Sequence, residues 1–354
     1  MRRRTALFLA LVLLLLPAPA ARASYDPLGS GVTRLALDQR FAAFLNQAGV
    51  RVSTQAGAAK RGRALVFPIS GGRFDPTAGA GEVEQQGSLA LRSARSRVLM
   101  RKLVVKTTHS PLVAKVGGSQ LKVATSAAIG SRRNGFGVVF SARKLQLTEK
   151  VATRLNKKLR PRRLFSAGQL VGTLVSEPQP LVTAIVPTGR ATLTFDSAFM
   201  AKLDQHFASV NPVFPAEHVG PTFTLPIIAN GALAPDASQG TLRTGGEIEF
   251  LELGAGQVFW HELWFDIGLG STLAEVDLEP TPAFPGKLGQ KPVLALGTGA
   301  RAADSAARTI SLDAAPLTLT AETAASFNQA FAEGRSEFSV GELVGTLSFT
   351  AQAQ

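Results

Sequence analysis

The chain has 354 residues, of which 45% are hydrophobic, and it carries a formal net charge of +13 at pH 7. It contains no cysteine, which excludes disulfides, thiolate nucleophiles and cysteine-ligated metals, so the fold must be held together by burial of apolar side chains. The charge is unevenly divided, because residues 24–190 carry 27 Lys and Arg against 7 Asp and Glu (net +20), whereas residues 191–354 carry 7 against 18 (net −11).

Residues 1–23 have the pattern of a secretory signal peptide. Arginines occupy positions 2–4, the apolar run 6–16 follows, and Ala-Arg-Ala at 21–23 supplies the small residues that a signal peptidase requires. We therefore predict cleavage near Ala23 and a protein that is secreted or associated with the cell envelope. No later run approaches the roughly 20 apolar residues of a membrane span, so we expect no transmembrane segment.

The first half of the chain is predicted to consist of short strands and two helices. Apolar residues spaced as on one helical face, with Asp38 near the start, predict a helix over residues 37–45. Thr148 is suited to be the N-cap of a second helix over residues 148–159. Runs rich in Val, Leu and Phe, cut by Gly, Pro and Asn, predict strands. These runs are residues 65–69, 87–91, 98–105 and 135–140.

The second half repeats this order of elements. Helices are predicted over residues 195–203 and 320–331, and a strand over residues 223–227. Residues 246–253 alternate apolar with acidic side chains, as expected of a strand with one buried face. Because strands and helices do not alternate along the chain, we predict a mainly β fold. It consists of two tandem antiparallel domains, sandwich-like or barrel-like, each with about two short helices.

One unit occurs twice in the sequence. Residues 170–174 (Leu-Val-Gly-Thr-Leu) recur letter for letter at 343–347, and further matched residues extend through both halves. A period of about 160 residues is the size of a domain and too long for a solenoid repeat. We predict tandem domains at residues 24–180 and 191–354, the first basic and the second acidic, joined by a linker at 181–190.

The motifs follow one another in the same order in both units. In the first unit, a helix with Phe41 and Phe44 precedes the segments Val-Phe-Pro-Ile at 66–69, Gly-Gly-Arg-Phe-Asp-Pro at 71–76 and the glycine-rich stretch 81–91. This order resembles the Htaa domain, the module of haem-transport-associated cell-surface proteins in actinobacteria, over nearly all of the chain after residue 23. The resemblance implies a mainly β scaffold that acts by binding.

The resemblance also implies where haem ligands would lie. In the family, a tyrosine in the first helix coordinates the iron, and a histidine after the strand 87–91 assists it. The tyrosine position corresponds to Phe44 in the first copy and Lys202 in the second, and the histidine segments read Leu-Arg-Ser-Ala-Arg at 91–95 and Phe-Leu-Glu-Leu-Gly at 250–254. No cofactor is therefore required, and any haem would be held by apolar burial and propionate contacts without the family's ligands.

The first function hypothesis is a pocket for haem or another small apolar ligand. In the first copy, its candidate residues are Phe41, Phe44 and Phe67, on the first helix and the strand that follows it. The pocket would require an apolar cavity beside that helix. A filled core at this place would instead favour the second hypothesis below.

The second copy offers further candidates for such a pocket. Residues 259–265 contain both tryptophans of the chain and one of its four histidines, so Trp260, His261 and Trp264 are candidate ligand-binding residues. Strand alternation predicts Trp260 and Trp264 on one face and His261 on the other. A core or interface strand is the competing interpretation.

The second function hypothesis is contact between the basic first domain and an anionic polymer of the cell envelope. Teichoic acid, acidic polysaccharide or anionic lipid headgroups are suitable partners outside the cell, where nucleic acid is not expected. A solvated basic face is the competing interpretation. The candidate polyanion-binding residues are Arg101, Lys102, Lys157, Lys158, Arg160, Arg162 and Arg163.

The sequence does not indicate an enzyme. It has no Gly-x-Ser-x-Gly elbow, no His-Glu-x-x-His and no phosphate loop, and its histidines and carboxylates lack the spacing of metal ligands. We expect neither catalysis nor a metal site. The opposite charges of the two units predict domain–domain docking or head-to-tail self-association, and salt would weaken either contact.

Overall fold

The computed structural model describes residues 25–107, 111–159, 164–253, 256–278 and 287–354. The predicted signal peptide and its cleavage site lie outside the described residues. Within them, no helix combines the length and the hydropathy needed to cross a membrane.

The described residues of the first half form twelve strands and two helices. In chain order they are β1 (Asp26–Leu37), α1 (Gln39–Gln47), β2 (Arg51–Gln55), β3 (Ala59–Arg61), β4 (Ala64–Asp75), β5 (Ala80–Gln85), β6 (Ser88–Arg92), β7 (Arg97–Lys106), β8 (Leu112–Val116), β9 (Ser119–Thr125), β10 (Ala128–Asn134), β11 (Gly137–Leu147), α2 (Glu149–Leu159) and β12 (Leu170–Pro180).

In the second half, the part of the chain that the structure describes forms fourteen strands and two helices. They are β13 (Thr183–Ala184), β14 (Arg190–Phe195), α3 (Ser197–Gln205), β15 (Ala208–Val213), β16 (Glu217–Val219), β17 (Thr222–Pro226), β18 (Ala232–Leu233), β19 (Gly240–Arg243), β20 (Glu247–Glu252), β21 (Gly256–Asp266), β22 (Ser271–Leu278), β23 (Lys287–Leu296), β24 (Ala300–Asp304), β25 (Thr309–Leu319), α4 (Ala321–Phe331) and β26 (Leu343–Gln352).

The first sheet closes on itself. Its order is β2-β6-β7-β5-β4-β1-β12-β11-β9-β8, and β7 also pairs with β8, so the eight strands from β7 round to β8 form a ring. On this ring, β1 lies three strands from β7 in one direction, and β12 lies three strands from β8 in the other. The prediction of a mainly β, antiparallel, barrel-like fold is confirmed.

The second sheet repeats this ring with one weak place. Its order is β13-β18-β19-β21-β22-β23-β25-β26-β14-β17-β16. Between β17 and β19, the described residues form one isolated bridge, Ile227 with Thr244. Two hydrogen bonds make it: the amide of Ile228 donates to the carbonyl of Arg243 at 3.0 Å, and the amide of Gly245 donates to the carbonyl of Pro226 at 2.8 Å. The second ring is thus less completely closed than the first.

The four helices begin and end within two residues of the predicted bounds. Asp38 and Asp196 are the N-caps of α1 and α3, and each carboxylate accepts hydrogen bonds from the amides two and three residues later. Thr320 caps α4 in the same way through its hydroxyl. These side chains satisfy amides that the first turn of a helix leaves unpaired, which explains why the caps recur in both halves.

An asparagine in the last helix of each half holds the loop that follows. Asn156 accepts a hydrogen bond from the amide of Phe165 at 2.9 Å and donates one to its carbonyl at 2.7 Å. Asn328 makes the same two bonds with Phe338, at 2.7 and 2.8 Å. The phenylalanine therefore has its backbone groups paired although it lies outside any strand.

The repeated Leu-Val-Gly-Thr-Leu segment has a packing cause. Gly172 in β12 lies so close to β1 that a Cβ would overlap the carbonyl oxygen of Ala36, and a Cβ at Gly345 in β26 would overlap that of Thr194 in β14. Only glycine permits this approach of two backbones. The same strand contact therefore requires the same residue in both halves.

A β-bulge interrupts β7 and β21 at equivalent positions. Lys102 and Glu262 have left-handed backbone conformations, with φ of 48° and 45°. The register of each strand with its neighbour shifts at this residue. The bulge inserts one residue, so the side chains beyond it exchange faces.

This bulge overturns the predicted faces of residues 259–265. Simple alternation places Trp260 and Trp264 on one face, and that prediction is wrong. In the structure, Trp260, Leu263 and Phe265 are buried, whereas Trp264 is half-buried. The competing interpretation of this segment as a core strand describes Trp260 correctly.

The two halves meet at a polar junction. Asp26, at the start of β1, is 4% exposed, and its carboxylate accepts hydrogen bonds from the hydroxyl of Thr183 (2.9 Å) and the amide of Ala184 (3.1 Å). Burial raises the pKa of Asp26 above its ordinary value.

Phe136, in the turn between β10 and β11, packs into the core of the second half. The chain passes between the sheets from β12 to β13, and β13 lies within the predicted linker 181–190.

Candidate functional site: a cationic cleft

Basic side chains line a cleft of about 530 Å³ between β7, β8 and α2. Val98, Leu99 and Val116 supply apolar wall, and the described residues of the lining include no Asp or Glu. The cleft therefore has a positive surface without internal neutralisation. Its six cationic residues are Arg97, Arg101, Lys102, Lys115, Arg154 and Lys158.

Strand register brings two of these cations face to face. Arg101 in β7 lies directly opposite Lys115 in β8, and both side chains are exposed. Like charges at opposite positions of an antiparallel pair repel each other and lower the stability of the sheet. A bound anion would relieve this repulsion.

The turn after β8 positions the arginine of α2. Nη2 of Arg154 donates a hydrogen bond of 2.8 Å to the carbonyl of Gly117. Gly117 has φ of 57°, and a side chain there would press against the guanidinium of Arg154. Nε of Arg154 is buried and has no hydrogen-bond partner among the described residues. Lys158 follows one helical turn later and lines the same cleft.

A second cleft of about 560 Å³ adjoins the first. Lys102, Lys115 and Gly118 line both clefts, and the described lining of the second has no other Lys or Arg. Glu84 lies in the second cleft, which makes it less uniformly positive than the first.

The structure brings together three of the seven predicted polyanion-binding residues. Arg101, Lys102 and Lys158 line the cleft, whereas Lys157 is exposed on α2 without lining it. The other three lie outside the described part of the chain. They are Arg160, Arg162 and Arg163.

Sequence inspection missed Lys115 and Arg154. It searched for basic residues close together in sequence, and these two lie on other elements than Arg101 and Lys102. The available signal was strand pairing: if β7 and β8 pair, Lys115 must lie near Arg101. The spacing of four residues from Arg154 to Lys158 likewise places both on one face of α2.

The second half has different chemistry at the same place. The strands match at an offset of 160 residues and the helices at 172. A smaller cleft, about 230 Å³, is lined there by Val258, Val276 and Ser326, which correspond to three lining residues of the first cleft. The equivalents of the six cations are, in order, Gln257, His261, Glu262, Glu275, Ser326 and Ala330.

Carboxylates surround His261 in the second half. Its Nδ1 lies 2.9 Å from Glu247 Oε1, its Nε2 lies 3.2 Å from Asp277 Oδ2, and the ring of Phe259 stacks on it at 5.5 Å. Directly opposite His261 in β22 is Glu275. The cross-strand pair that joins two cations in the first half therefore joins an imidazole and an acid here.

The two tryptophans do not form a common pocket with His261. Trp260 is fully buried against Phe250 and Phe327 and borders the 230 Å³ cleft. Arg243 covers the ring of Trp264, with its guanidinium carbon 3.9 Å from the ring centroid. Trp260, His261 and Trp264 therefore have three separate environments.

The aromatic candidates of the first half pack against one another. Phe41 and Phe67 are buried in the core. Phe44 is half-buried, and its ring stacks with Phe41 at 6.3 Å and meets Phe165 edge-on at 6.1 Å. These contacts occupy the space that a ligand beside α1 would need.

Lys202, which is equivalent to Phe44, is also engaged. It pairs with the carboxylate of Glu342, donates a hydrogen bond of 3.2 Å to the carbonyl of Glu337, and lies 5.5 Å from the ring centroid of Phe338. An ammonium with these partners is not available as a ligand to iron.

The residues present do not fit haem in the manner that the family resemblance implies. Phe44 has no donor atom, and Lys202 is occupied. Where the histidine would lie in the first half, a polar cleft of about 480 Å³ has Arg51, Arg92 and Ser93 in its lining. None of these side chains is an ordinary iron ligand.

Comparison with known proteins gives partial matches. No protein-family model matches the sequence, and no curated protein matches it. The C-terminal domain of HtaA from Corynebacterium glutamicum is 16% identical, with a TM-score of 0.39, over 49% of this chain and 99% of that one. The N-terminal domain of the same protein is 19% identical, with a TM-score of 0.36, over 48% and 99%. A domain-swapped dimer of a C-terminal-domain variant is 17% identical, with a TM-score of 0.34, over 44% and 92%.

Proposed function

We propose that this protein is an exported, non-catalytic binding protein whose first domain contacts an anionic polymer of the cell envelope. Residues 1–23 would direct export, and two Htaa-like domains would span residues 24–180 and 191–354. The observation that carries the proposal is the convergence of six Lys and Arg on one cleft whose described lining has no carboxylate.

The arrangement of the cations favours binding over a merely solvated face. Arg101 and Lys115 face each other across a ladder, and Arg154 and Lys158 are four residues apart on α2. Both spacings place like charges where they repel and destabilise the fold. A surface that only promotes solubility would intersperse the two signs, whereas an anion-binding surface requires this repulsion in the free protein.

A polymer suits the surface better than a single small anion. The six cations come from two strands and a helix, β7, β8 and α2, and two of them, Lys102 and Lys115, also border the neighbouring cleft of about 560 Å³. A chain with repeated negative charges can contact several of them at once. Teichoic acid, acidic polysaccharide and the headgroups of anionic lipids carry such charges outside the cell.

The pocket for haem or another apolar ligand receives less support. The side chains proposed for it in the first half, Phe41, Phe44 and Phe67, make core contacts with one another or with Phe165. A filled core with an adjacent basic face is the combination expected for polymer contact.

Titration of the purified protein with polyglycerol phosphate would test the proposal by calorimetry over a salt series. We expect saturable binding that weakens steadily as salt rises, because the contacts are between exposed charges. The variant Arg101→Glu/Lys115→Glu should bind about tenfold more weakly or worse. Retention on an isolated cell-wall fraction should fall in parallel.

The control variant is Arg61→Glu/Arg63→Glu. It changes the net charge by the same amount at exposed positions on and beside β3, away from the cleft. Its affinity should stay within about twofold of the wild type, since only long-range screened charge is altered. Equal losses in both variants would show non-specific attraction and would contradict a defined site, as would wild-type binding that does not respond to salt.

A further inference from the structure

The second half presents an acidic surface beside the place where the first half has its cleft, and the described lining of the smaller cleft there has one base, Lys291, and one acid, Glu322. We define this acidic face by the carboxylates on β20, β21 and β22. They are Glu247, Glu249, Glu262, Glu275 and Asp277. From its position and charge, we propose that the acidic face of one molecule docks on the cationic cleft of a second copy of this chain. The inference rests on the proposed function in that it takes the cleft to accept anionic groups.

Complementarity at equivalent positions supports a second copy as the occupant. Lys102 corresponds to Glu262, and both are the left-handed residue of the bulge. Lys115 corresponds to Glu275, and both are exposed. Two surfaces with the same strand arrangement can dock through a near-twofold rotation, as identical surfaces do in symmetric dimers. Opposite charge makes this particular docking attractive instead of repulsive.

The topology directs this contact between molecules. The junction of the halves involves β1, β13 and the β10–β11 turn, through Asp26, Thr183 and Phe136. In the first ring, β7 and β8 are three strands from β1 and β12, and in the second, β21 and β22 are three strands from β14 and β26. Both charged surfaces therefore lie across their rings from the strands nearest the junction. This placement favours contact between molecules over contact within one.

Several carboxylates of the acidic face are already paired within the molecule, which limits the strength of its contact with the cleft of a second copy. His261 lies against Glu247 and Asp277, and Glu262 pairs with Arg243 at 3.2 Å, whereas Glu275 is exposed. Exposed charge pairs contribute little individually and are screened by salt. The association is therefore weak and reversible, and a polyanion competes with the second copy for the same cations. Polymer binding would then separate the self-associated molecules.

Sedimentation velocity with two charge-exchange variants tests the inference. Lys102→Glu/Lys115→Glu lowers the side-chain charge of the cleft from +6 to +2, and Glu262→Lys/Glu275→Lys changes that of the acidic face from −5 to −1. Each substitution installs the residue that the other half has in the same backbone conformation, so folding should be preserved. We expect the wild type to associate at about 20 mM NaCl and to dissociate at about 500 mM. Each variant alone should associate at least about tenfold more weakly.

Mixing the two variants gives the decisive result. The unchanged acidic face of Lys102→Glu/Lys115→Glu then meets the unchanged cleft of Glu262→Lys/Glu275→Lys, so association should return toward the wild-type level. A monomeric wild type at low salt, or variants that associate as well as the wild type, would overturn the inference, and so would a mixture that stays monomeric. Glu262→Lys/Glu275→Lys should keep its affinity for polyglycerol phosphate, and this readout separates a failure of self-association from a failure of the proposed function.

Discussion

The surfaces beside α2 and α4 have the same backbone and opposite chemistry. Arg101 faces Lys115 in the first half, and His261 faces Glu275 in the second. The residues shared by both halves are those that the backbone requires, such as the helix caps and Gly172 with Gly345. The comparison shows that the two halves share residues that the backbone requires and differ in charge at one surface position after another.

The largest expected effect is on the free energy of unfolding, at the glycine that both halves have in the same strand contact. Replacing Gly172 with Val should destabilise the protein by about 4 kcal/mol, because the added side chain would overlap the carbonyl of Ala36. Gly345→Val should cost about as much through Thr194. Urea denaturation followed by circular dichroism measures both. A loss below about 1 kcal/mol in either variant would mean that the strands can separate there without harm.

An exchange of the differing residues should have the next largest effect. The variant Arg97→Gln/Arg101→His/Lys115→Glu gives the first cleft the residues of the second half. We expect its affinity for polyglycerol phosphate to fall about a hundredfold, which is about 2.7 kcal/mol of binding free energy. Two of the cations are replaced by neutral or weakly basic residues, and the third is replaced by an acid. Calorimetry at low salt would measure this.

The reciprocal variant tests whether the shared backbone is sufficient for binding. Gln257→Arg/His261→Arg/Glu275→Lys should give the second half a salt-sensitive affinity, detectable when the first cleft is disabled by the preceding substitutions. If the first exchange leaves binding unchanged, the cleft is not the site. If the reciprocal exchange gives no binding, parts of the cleft outside these strands, such as Arg154, are needed as well.

A smaller effect is expected at the two asparagines. Asn156→Ala should destabilise the protein by about 2 kcal/mol, because it removes two hydrogen bonds to the backbone of Phe165. Asn328→Ala should cost at least as much, because Asn328 makes the same two bonds with Phe338 and also accepts one from the amide of Glu337 at 2.8 Å. Asn46→Ala, at an exposed position of α1, should change stability by less than about 0.5 kcal/mol. Chemical denaturation measures all three, and a smaller loss for Asn328→Ala than for Asn156→Ala would show that the loop after α4 is held by other contacts.

The smallest effect should come from the junction that joins the halves. Burial raises the pKa of Asp26, so in the pH range from its unfolded-state value up to its folded-state value the folded protein binds more protons than the unfolded chain. Stability contributed by this group is therefore present at low pH and lost as pH rises through that range. Asn in place of Asp26 can keep both hydrogen bonds, with Thr183 and Ala184, without titrating.

Thermal unfolding across acidic pH measures this difference. The melting temperature of Asp26→Asn relative to the wild type should rise as pH increases through the range and should be constant above it. Thr33→Val, a buried change away from the junction, should show no such trend against the wild type. A flat difference for Asp26→Asn would mean that the carboxyl group is not desolvated in solution.

Local sequence features predicted much of the fold. The helices were predictable because apolar spacing and the caps Asp38, Asp196 and Thr320 are signals confined to a few neighbouring residues. The strand faces in residues 259–265 were not, because the bulge at Glu262 depends on how two strands pair. Glycine at a left-handed position can indicate a bulge in the sequence. Here Lys or Glu occupies that position, so the residue type gives no signal of the bulge.

The candidate site was predictable only in part for a similar reason. Arg101 and Lys102 are adjacent in sequence, so a search for basic runs finds them, but Lys115 and Arg154 join them through the fold. The aromatic segment with Trp260 was predicted as a ligand site because it contains both tryptophans of the chain and one of its four histidines. Burial decides its role, and burial depends on the rings of Phe250 and Phe327, which lie far from it in sequence or on another strand.

The bulge shared by β7 and β21 has a consequence for how such a protein can evolve. The residue at the bulge takes no part in the regular alternation of the strand. It can therefore be Lys in one half (Lys102) and Glu in the other (Glu262) without a change in which side chains are buried. Substitutions at this position can alter what the surface binds while the core stays the same. An engineer could use the same position to graft a reactive or chelating side chain onto either half.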